Sequence, residues 1–400
     1  MTTGCVGAGS YRAPVRILHT SDWHLGRAFH GQGMLTHQGT FVDHLLEVVE
    51  AERVDLVLVA GDVYDRALPS VDAVALAEEA LVRLAASRAR VVLTSGNHDS
   101  HQRLGFAARL IDAAGVHVRT HARDVGTPVL LEDEHGPVAV HGLPYLDPDH
   151  LREPWALPAR SHQAAMAEAL RRVRSDLEGR PGTRSVVMAH AFVAGAEPCD
   201  SERDISVGGV QHVSTTLFDG FDYTALGHLH GRHELGPALR YSGSPLAYSF
   251  SEAGHLKGSW LVELGAEGLA GAEFVEAPVP RPLVRLRGLL DDLLDDPRHG
   301  AAERAWVQAV LCDRVRPAQA KLRLERRFPH LLSLGFEPAG AGPTGVPSAR
   351  TGEGLTDHET ALDFVRELRG RAADATESAL LREACEACCD DGELDAGVVA

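Results

Sequence analysis

Apolar and polar positions follow two rhythms over the first 275 or so residues. Short, largely apolar runs of strand length lie at Val15–Thr20, Val54–Ala60, Val91–Ser95, Ser185–Ala189 and Tyr223–Leu226. Between them the apolar residues recur at helical spacing. Phe41–Arg53 places them at Val42, Leu45, Leu46, Val48 and Val49, and Ala73–Ser87 and His162–Leu177 repeat the pattern. This alternation predicts a largely parallel sheet covered by helices on both faces.

Each run ends in the same kind of chemistry. In turn they lead into Asp22-Trp23-His24, Gly61-Asp62-Val63-Tyr64-Asp65, Gly96-Asn97-His98-Asp99, His190, and Gly227-His228-Leu229-His230. In open α/β sheets ligands bind beyond the carboxyl ends of the strands. Five strand ends that each deliver a carboxylate, an amide or an imidazole predict a two-metal site assembled along one sheet edge.

Beyond residue 230 the pattern turns β-rich, with predicted strands at Leu239–Ser242 and Gly258–Leu264 and a last one closing near Phe274–Val275. Pro278, Pro280 and Pro282 then mark a boundary. Residues 283–337 predict a small β-α-β unit: a strand at Leu283–Leu286, a helix at Ala301–Leu311 and a strand at Lys321–Leu324. Residues 339–355, rich in Gly, Pro, Ala, Ser and Thr, predict a flexible linker. A helix is predicted over Thr356–Arg371, where Thr356 and Glu359 form a start signal. The organisation expected is therefore a disordered extension at 1–14, a main domain at 15–277, a small α+β domain at 278–338, the linker, and an acidic helical tail at 356–400.

Composition changes this picture little; charge changes it more. The 400 residues are 44% apolar and 24% charged, ample for a core. No run approaches the roughly 20 apolar residues of a membrane span, and residues 1–14 lack the build of a secretory signal. A cytoplasmic protein is expected. Six cysteines, three of them at Cys385, Cys388 and Cys389, do not form a disulfide framework. The net charge of −17 argues at first against a polyanionic partner. About half of the excess lies after Thr351, however, while Arg314, Arg316, Lys321, Arg323, Arg326 and Arg327 cluster within the small domain.

Two divalent ions about 3.5–4 Å apart can hold the attacking and leaving oxygens of a phosphoryl group in line. Such a pair needs a bridging carboxylate, and Asp62 sits in the middle of the set. Asp22, His24 and His230 complete one ion; Asn97, His190 and His228 complete the other. This mixed donor set suits Mn, Fe or Zn better than Mg or Ca. His98 follows a ligand directly and points the other way, which fits a general acid. Asp65 is the first candidate for its carboxylate partner and Asp99 the second, and Arg66 is placed to contact a phosphate oxygen.

At these residues the chain resembles the calcineurin-like metallophosphoesterases, whose D-x-H, GD-x-x-D, GNH-D/E, H and GH-x-H blocks occur here in order. It resembles the SbcD nuclease family more closely. Thr20–Arg27, Ala60–Arg66, Ser95–Ser100, Gly142–Leu146, Ser201–Gly209, Tyr241–Pro245 and Arg326–His330 all look like that family's blocks. The resemblance implies a β-sandwich flanked by helices, a capping domain and a helical tail. It implies a manganese-dependent enzyme that cuts DNA, as a double-strand exonuclease and a single-strand or hairpin endonuclease, in repair and recombination. It also implies a dimer bound to two copies of SbcC, a coiled-coil ATPase, docked on the tail helix. Carried over, the metal ligands are Asp22, His24, Asp62, Asn97, His190, His228 and His230, and the acid is His98. The capping domain would hold DNA through Arg323, Arg326 and Arg327. A phosphatase or small-molecule phosphodiesterase would share every metal ligand, and the basic appended unit is what separates the readings.

Overall fold

The computed structural model describes residues 13–203, 205, 212–338 and 356–390. Residues 1–12, the predicted linker and residues 391–400 lie outside them, as do the side chains of Cys388 and Cys389. The chain divides into two compact units, one of Met1–Val310 with Ala318–Gly335, the other of Leu311–Pro317 with Phe336–Ala400.

Two six-stranded sheets form the body of the larger unit. The first runs, in spatial order, Gly268–Glu276, Gly258–Gly265, Val15–Thr20, Leu56–Ala60, Arg90–Thr94 and Val116–Arg119. The last four of these are parallel, and the two C-terminal strands add antiparallel on the Val15 side. The second runs His233–Glu234, Leu239–Tyr241, Tyr223–Gly227, Arg184–His190, Gly136–Gly142 and Val129–Asp133. Its four inner strands are parallel and its two edge strands antiparallel.

Strand alternation explains how the sheets stack. Ile17, Leu56, Leu58 and Val92 meet Val138, Val140, Val186, Met188 and Tyr223 in a core between the sheets. The opposite face of the first sheet, with Leu18, Val57, Val59, Val91 and Leu93, packs on Phe41, Leu45, Val49, Ala77 and Leu84 of the helices Leu35–Ala51 and Val71–Ala86. The second sheet meets the helix His162–Glu178 through Ala165, Met166, Ala169, Leu170 and Val173. The result is a β-sandwich flanked by helices, each sheet keeping four parallel strands and adding two antiparallel ones. The ligand-bearing strands therefore come from two sheets, and the expectation of one sheet edge is corrected.

The small domain also departs from its predicted pattern. The segment read as a helix, Ala301–Leu311, is a 3-10 turn followed by a strand, Trp306–Leu311, in which only Gln308 and Val310 are half-buried. The segment read as a strand belongs to the helix Ala320–Arg327. Its Ala, Lys, Leu, Arg and Glu are all strong helix formers, and Lys321 sits one turn before Glu325 at 3.7 Å. A three-stranded sheet of Leu283–Gly288, Trp306–Leu311 and Leu331–Phe336 results. Trp306 and Leu283 pack against Phe29, Met34, Leu246 and Phe250 of the main body.

In the smaller unit the helices Asp357–Arg369 and Ala375–Asp390 are joined by a bond of 3.0 Å from His358 Nε2 to the Ser378 carbonyl. The first opens on the expected capping box of Thr356 and Glu359. No helix among the described residues is long and apolar enough to cross a membrane.

Candidate active site

The five strand ends converge. His24 Nε2 and His230 Nε2 lie 3.0 Å apart, and Asp22 offers a carboxylate oxygen to the same cluster. Asn97 Oδ1 is 3.0 Å from both His190 Nε2 and His228 Nδ1. Asp62 Oδ2 stands between the two groups, 3.7 Å from His24 Nε2 and 3.5 Å from His190 Nε2. All seven predicted donors are thus brought together around Asp62, with Asp22 also grouped with Asp62 and His190, and His98 grouped with His24 and Asp62.

Tight turns make this convergence possible, at a cost in backbone strain. Asp22, His24 and Asp62 have φ of 54°, 46° and 49°, in the left-handed region that disfavours residues with a Cβ. Hydrogen bonds between neighbouring strand ends hold them there, from Asp22 N to the Gly61 carbonyl (3.1 Å) and from His24 N to the Asp62 carbonyl (3.0 Å). Gly61 adopts φ +85°, and a Cβ on it would lie 2.3 Å from His190 Nδ1. Gly227 must be bare for a different reason: its Cβ would meet the Ala60 carbonyl oxygen at 1.8 Å.

Electrostatics fit a cation pair. Burial pushes His24 and His228 well below the usual imidazole pKa, so both stay neutral with lone pairs available. Burial raises Asp22 to about 6 against the pull of His190 and His230. Burial opposes a charge on His190 as well, but Asp62 and Asp22 outweigh it and raise the imidazole to about 9. Without metal, then, a protonated His190 supplies the positive charge that Asp62 requires. His24 Nδ1 is buried with no hydrogen-bond partner. Two carboxylates, an amide and four imidazoles gathered in a buried site match the donors that divalent transition metals take. When bound, such ions polarise a phosphoryl group and lower the pKa of an attacking water.

His98 occupies the rim, within the same cluster but differently held. Its Nδ1 lies 2.7 Å from the Asp65 main-chain carbonyl, whereas the Asp65 carboxylate is 4.0 Å away. The partner is therefore the backbone of Asp65, a correction to both candidate carboxylates. Asp99 is occupied elsewhere, accepting from the N–H groups of Val63 (3.1 Å), Tyr64 (2.9 Å) and Gly96 (2.9 Å). With Nδ1 donating to a carbonyl, His98 Nε2 is the atom left for the site, 3.9 Å from Asp62 Oδ2. Burial lowers the His98 pKa, with Asp62 and the Asp65 carbonyl opposing.

Arg66 is largely exposed, 3.4 Å from its neighbour Asp65. Arg27, which sequence reasoning passed over, is the inward guanidinium. It donates to the Ser201 carbonyl at 2.7 Å, lies 5.0 Å from the centre of the Tyr248 ring and sits 3.7 Å from Asp65 Oδ1. Also missed were Gln38, which donates to the His24 carbonyl at 2.8 Å, and Tyr248, which donates to the Trp23 carbonyl at 2.7 Å. Both act on a ligand loop from far along the chain, where no spacing pattern reveals them.

The arginines of the small domain divide. Arg327 is turned inward, donating to the carbonyls of Leu293 (3.0 Å), Leu294 (2.5 Å) and Asp296 (2.7 Å). Arg323 pairs with Asp291 at 2.6 Å. Arg326 is exposed.

Residues 15–232 match the model of the calcineurin-like phosphoesterase family. The chain belongs to that family. A calcineurin-like phosphoesterase is a metal-dependent phosphoester hydrolase, which accounts for the donor cluster. The chain is also similar to TT1561 of Thermus thermophilus (14% identity, TM-score 0.39, covering 65% of this chain and 99% of that one). A second similar structure is GAP50, the anchor in the inner membrane complex of Plasmodium (11%, 0.39, covering 84% and 100%). A third is a novel archaeal phosphodiesterase (12%, 0.30, covering 65% and 100%). At these TM-scores none of the three bears on substrate or partner.

Proposed function

We propose that this calcineurin-like phosphoesterase is an SbcD-type DNA nuclease, using two manganese ions and acting on double-strand ends, single strands and hairpins. It works as a dimer with a coiled-coil ATPase of the SbcC kind in cytoplasmic DNA repair and recombination, docked through the tail helix. The observation that carries this reading is where the SbcD-like blocks fold. Ser201, Ser242 and Tyr145, from three of those blocks, lie directly behind the metal-ligand loops. Ser201 Oγ is 2.6 Å from His230 Nδ1, Ser242 Oγ is 2.9 Å from Ser21 Oγ, and Ser21 Oγ donates to Asp22 Oδ2 at 2.5 Å. Tyr145 N donates to the Ser95 carbonyl at 2.7 Å, bracing the Asn97–His98 loop.

Asp22, Asp62, Asn97, His24, His190, His228 and His230 would hold the divalent ions, which would polarise the phosphoryl group and activate a water. His98, oriented by the Asp65 carbonyl, turns Nε2 toward the site, where it would pass a proton to the departing oxygen once the ring is charged. Arg27 stands close by at the Asp65 side of the site, where its charge favours a phosphodiester anion.

The second reading, a small-molecule diesterase or phosphatase, gains from one observation: Arg327 and Arg323 are already paired within the small domain. A cleavage assay with manganese decides between them. Linear and hairpin DNA and a chromogenic phosphodiester are compared, with and without the ATPase. The nuclease reading expects DNA to be cut far more efficiently than the diester, and the ATPase to stimulate cutting of DNA alone. Efficient diester hydrolysis with inert DNA under both conditions would replace it with the second reading.

A further inference from the structure

His230 is gripped at three atoms by side chains that none of the metal-ligand motifs contains. Its N–H donates to Glu202 Oε1 at 2.6 Å, and its carbonyl accepts from Lys257 Nζ at 2.8 Å. Its Nδ1 lies 2.6 Å from Ser201 Oγ. The third contact has a direction that chemistry fixes. Ser201 has one hydroxyl proton, and Glu252 Oε1 stands 2.7 Å from its oxygen. An ionised carboxylate only accepts, so the hydroxyl donates to Glu252 and its lone pair is left to accept from His230. His230 therefore carries its proton on Nδ1. The Nε2 lone pair is the one that faces His24 and Asp22.

Glu252 is itself held. Lys257 Nζ contacts its Oε2, and the Tyr248 N–H donates to Oε1 at 3.0 Å. Lys257 also donates to Ser244 Oγ at 3.0 Å, so its three donors are fully used. Glu252, Lys257, Ser201 and His230 are all buried, among Leu246, Phe250 and Tyr248. A buried ion pair gives little or no stability over an apolar pair of similar volume. Its retention against a ligand histidine needs another explanation. His190 shows the simpler solution, with Nδ1 2.9 Å from the Ala60 carbonyl. Such a second partner fixes the tautomer and orientation of a ligand ring.

We infer that Glu252, acting through Ser201, fixes His230 in the Nδ1–H tautomer and aims its Nε2 lone pair at the metal, while Lys257 anchors both the carboxylate and the His230 backbone. Ser201 and Glu252 are thus positioning residues for one of the two ions. The inference rests on the metal-centre reading for its consequence, but the tautomer is a property of the metal-free protein.

The test uses the full chain, metal-free, with 15N-labelled histidine. NMR of the parent should show His230 protonated at Nδ1, and Ser201→Ala should lose that preference. Calorimetric titration with Mn2+ should then show one of the two binding steps weakened by about 10- to 100-fold and the other unchanged. Ser201→Thr, which keeps the hydroxyl, should restore both readouts. The double variant Glu252→Met, Lys257→Met leaves no unpaired buried charge and no acceptor for the Ser201 hydroxyl, and should reproduce the Ser201→Ala result if that single variant folds poorly. An unaltered His230 tautomer in both variants, or equal weakening of both binding steps, would overturn the inference. A parent that binds no Mn2+ while showing the Nδ1–H tautomer would instead remove the metal reading and leave the tautomer assignment standing.

Discussion

A Cβ at position 227 would lie 1.8 Å from a backbone oxygen of the neighbouring strand end, which has nowhere to go. Gly227→Ala should therefore force apart Tyr223–Gly227 and Leu56–Ala60 just where His228 and Asp62 are presented. A destabilisation of about 1–3 kcal/mol or more is expected in chemical denaturation, with Gly254→Ala, where the added Cβ meets open space, as the neutral control. His98 makes a cleaner catalytic prediction. If His98 is the acid and not a ligand, His98→Gln removes only the group that protonates the departing oxygen, so Mn2+ affinity should hold while turnover falls by about 10²- to 10⁴-fold. Loss of an ion in that variant would make His98 a ligand instead. The ligands themselves were legible because each sits at the end of an apolar run, a local signal. Arg27, Gln38, Ser201, Glu252 and Lys257 were not, because each acts on a loop its own neighbourhood in sequence does not mention.

Among the elements, those with strong periodicity were readable and those with short mixed segments were not. The helices Leu35–Ala51, Val71–Ala86 and His162–Glu178 follow from their apolar stripes, although the first starts six residues before its predicted Phe41. Trp306–Leu311 misled because five of its six residues are apolar, which a strand and a buried helical turn share. Sheet number was illegible for a related reason: periodicity within a strand says nothing about which sheet it joins. The link between the sheets is in part polar. Asp133, on the edge strand of the second sheet, accepts from Val15 N of the first at 3.0 Å and is paired with the buried Arg184. Burial alone would raise the Asp133 carboxyl, but Arg184 and the N–H groups of His135 and Val15 hold it below its usual value. A depressed carboxyl adds stability that is complete above its unfolded pKa of about 3.9 and is lost as pH falls through the lower, folded value. Asp133→Asn should cost about 3–5 kcal/mol near neutral pH by leaving Arg184 unpaired. The gap between variant and parent should narrow on acidification below pH about 4. A gap that stays constant to pH 2 would show that Asp133 contributes by shape rather than charge.

At the scale of the whole molecule, a net charge of −17 and the polyanionic substrate proposed above are in tension. Charge segregation eases it: about half of the acidic excess lies beyond Thr351, after the metal site and the small domain. What the sequence could not show is that the basic cluster of that domain is only partly available. Arg327 spends its guanidinium on three carbonyls around the end of the helix Leu290–Asp295, whereas Arg326, one residue away, is exposed. The two should therefore separate under substitution. Arg327→Ala strands those carbonyls and should lower the melting temperature, with weaker DNA binding only as a consequence of unfolding. Arg326→Ala should leave the melting temperature within error and weaken DNA binding. It should also flatten the dependence of log K on log salt by about one unit, as expected for one lost phosphate contact. Hydrolysis of a chromogenic diester should be unaffected by Arg326→Ala, because that substrate is too short to reach beyond the metal site. If Arg326→Ala leaves both the DNA affinity and the salt slope unchanged, the small domain does not track the phosphate backbone through this helix, and the proposed DNA-holding role of Arg326 falls.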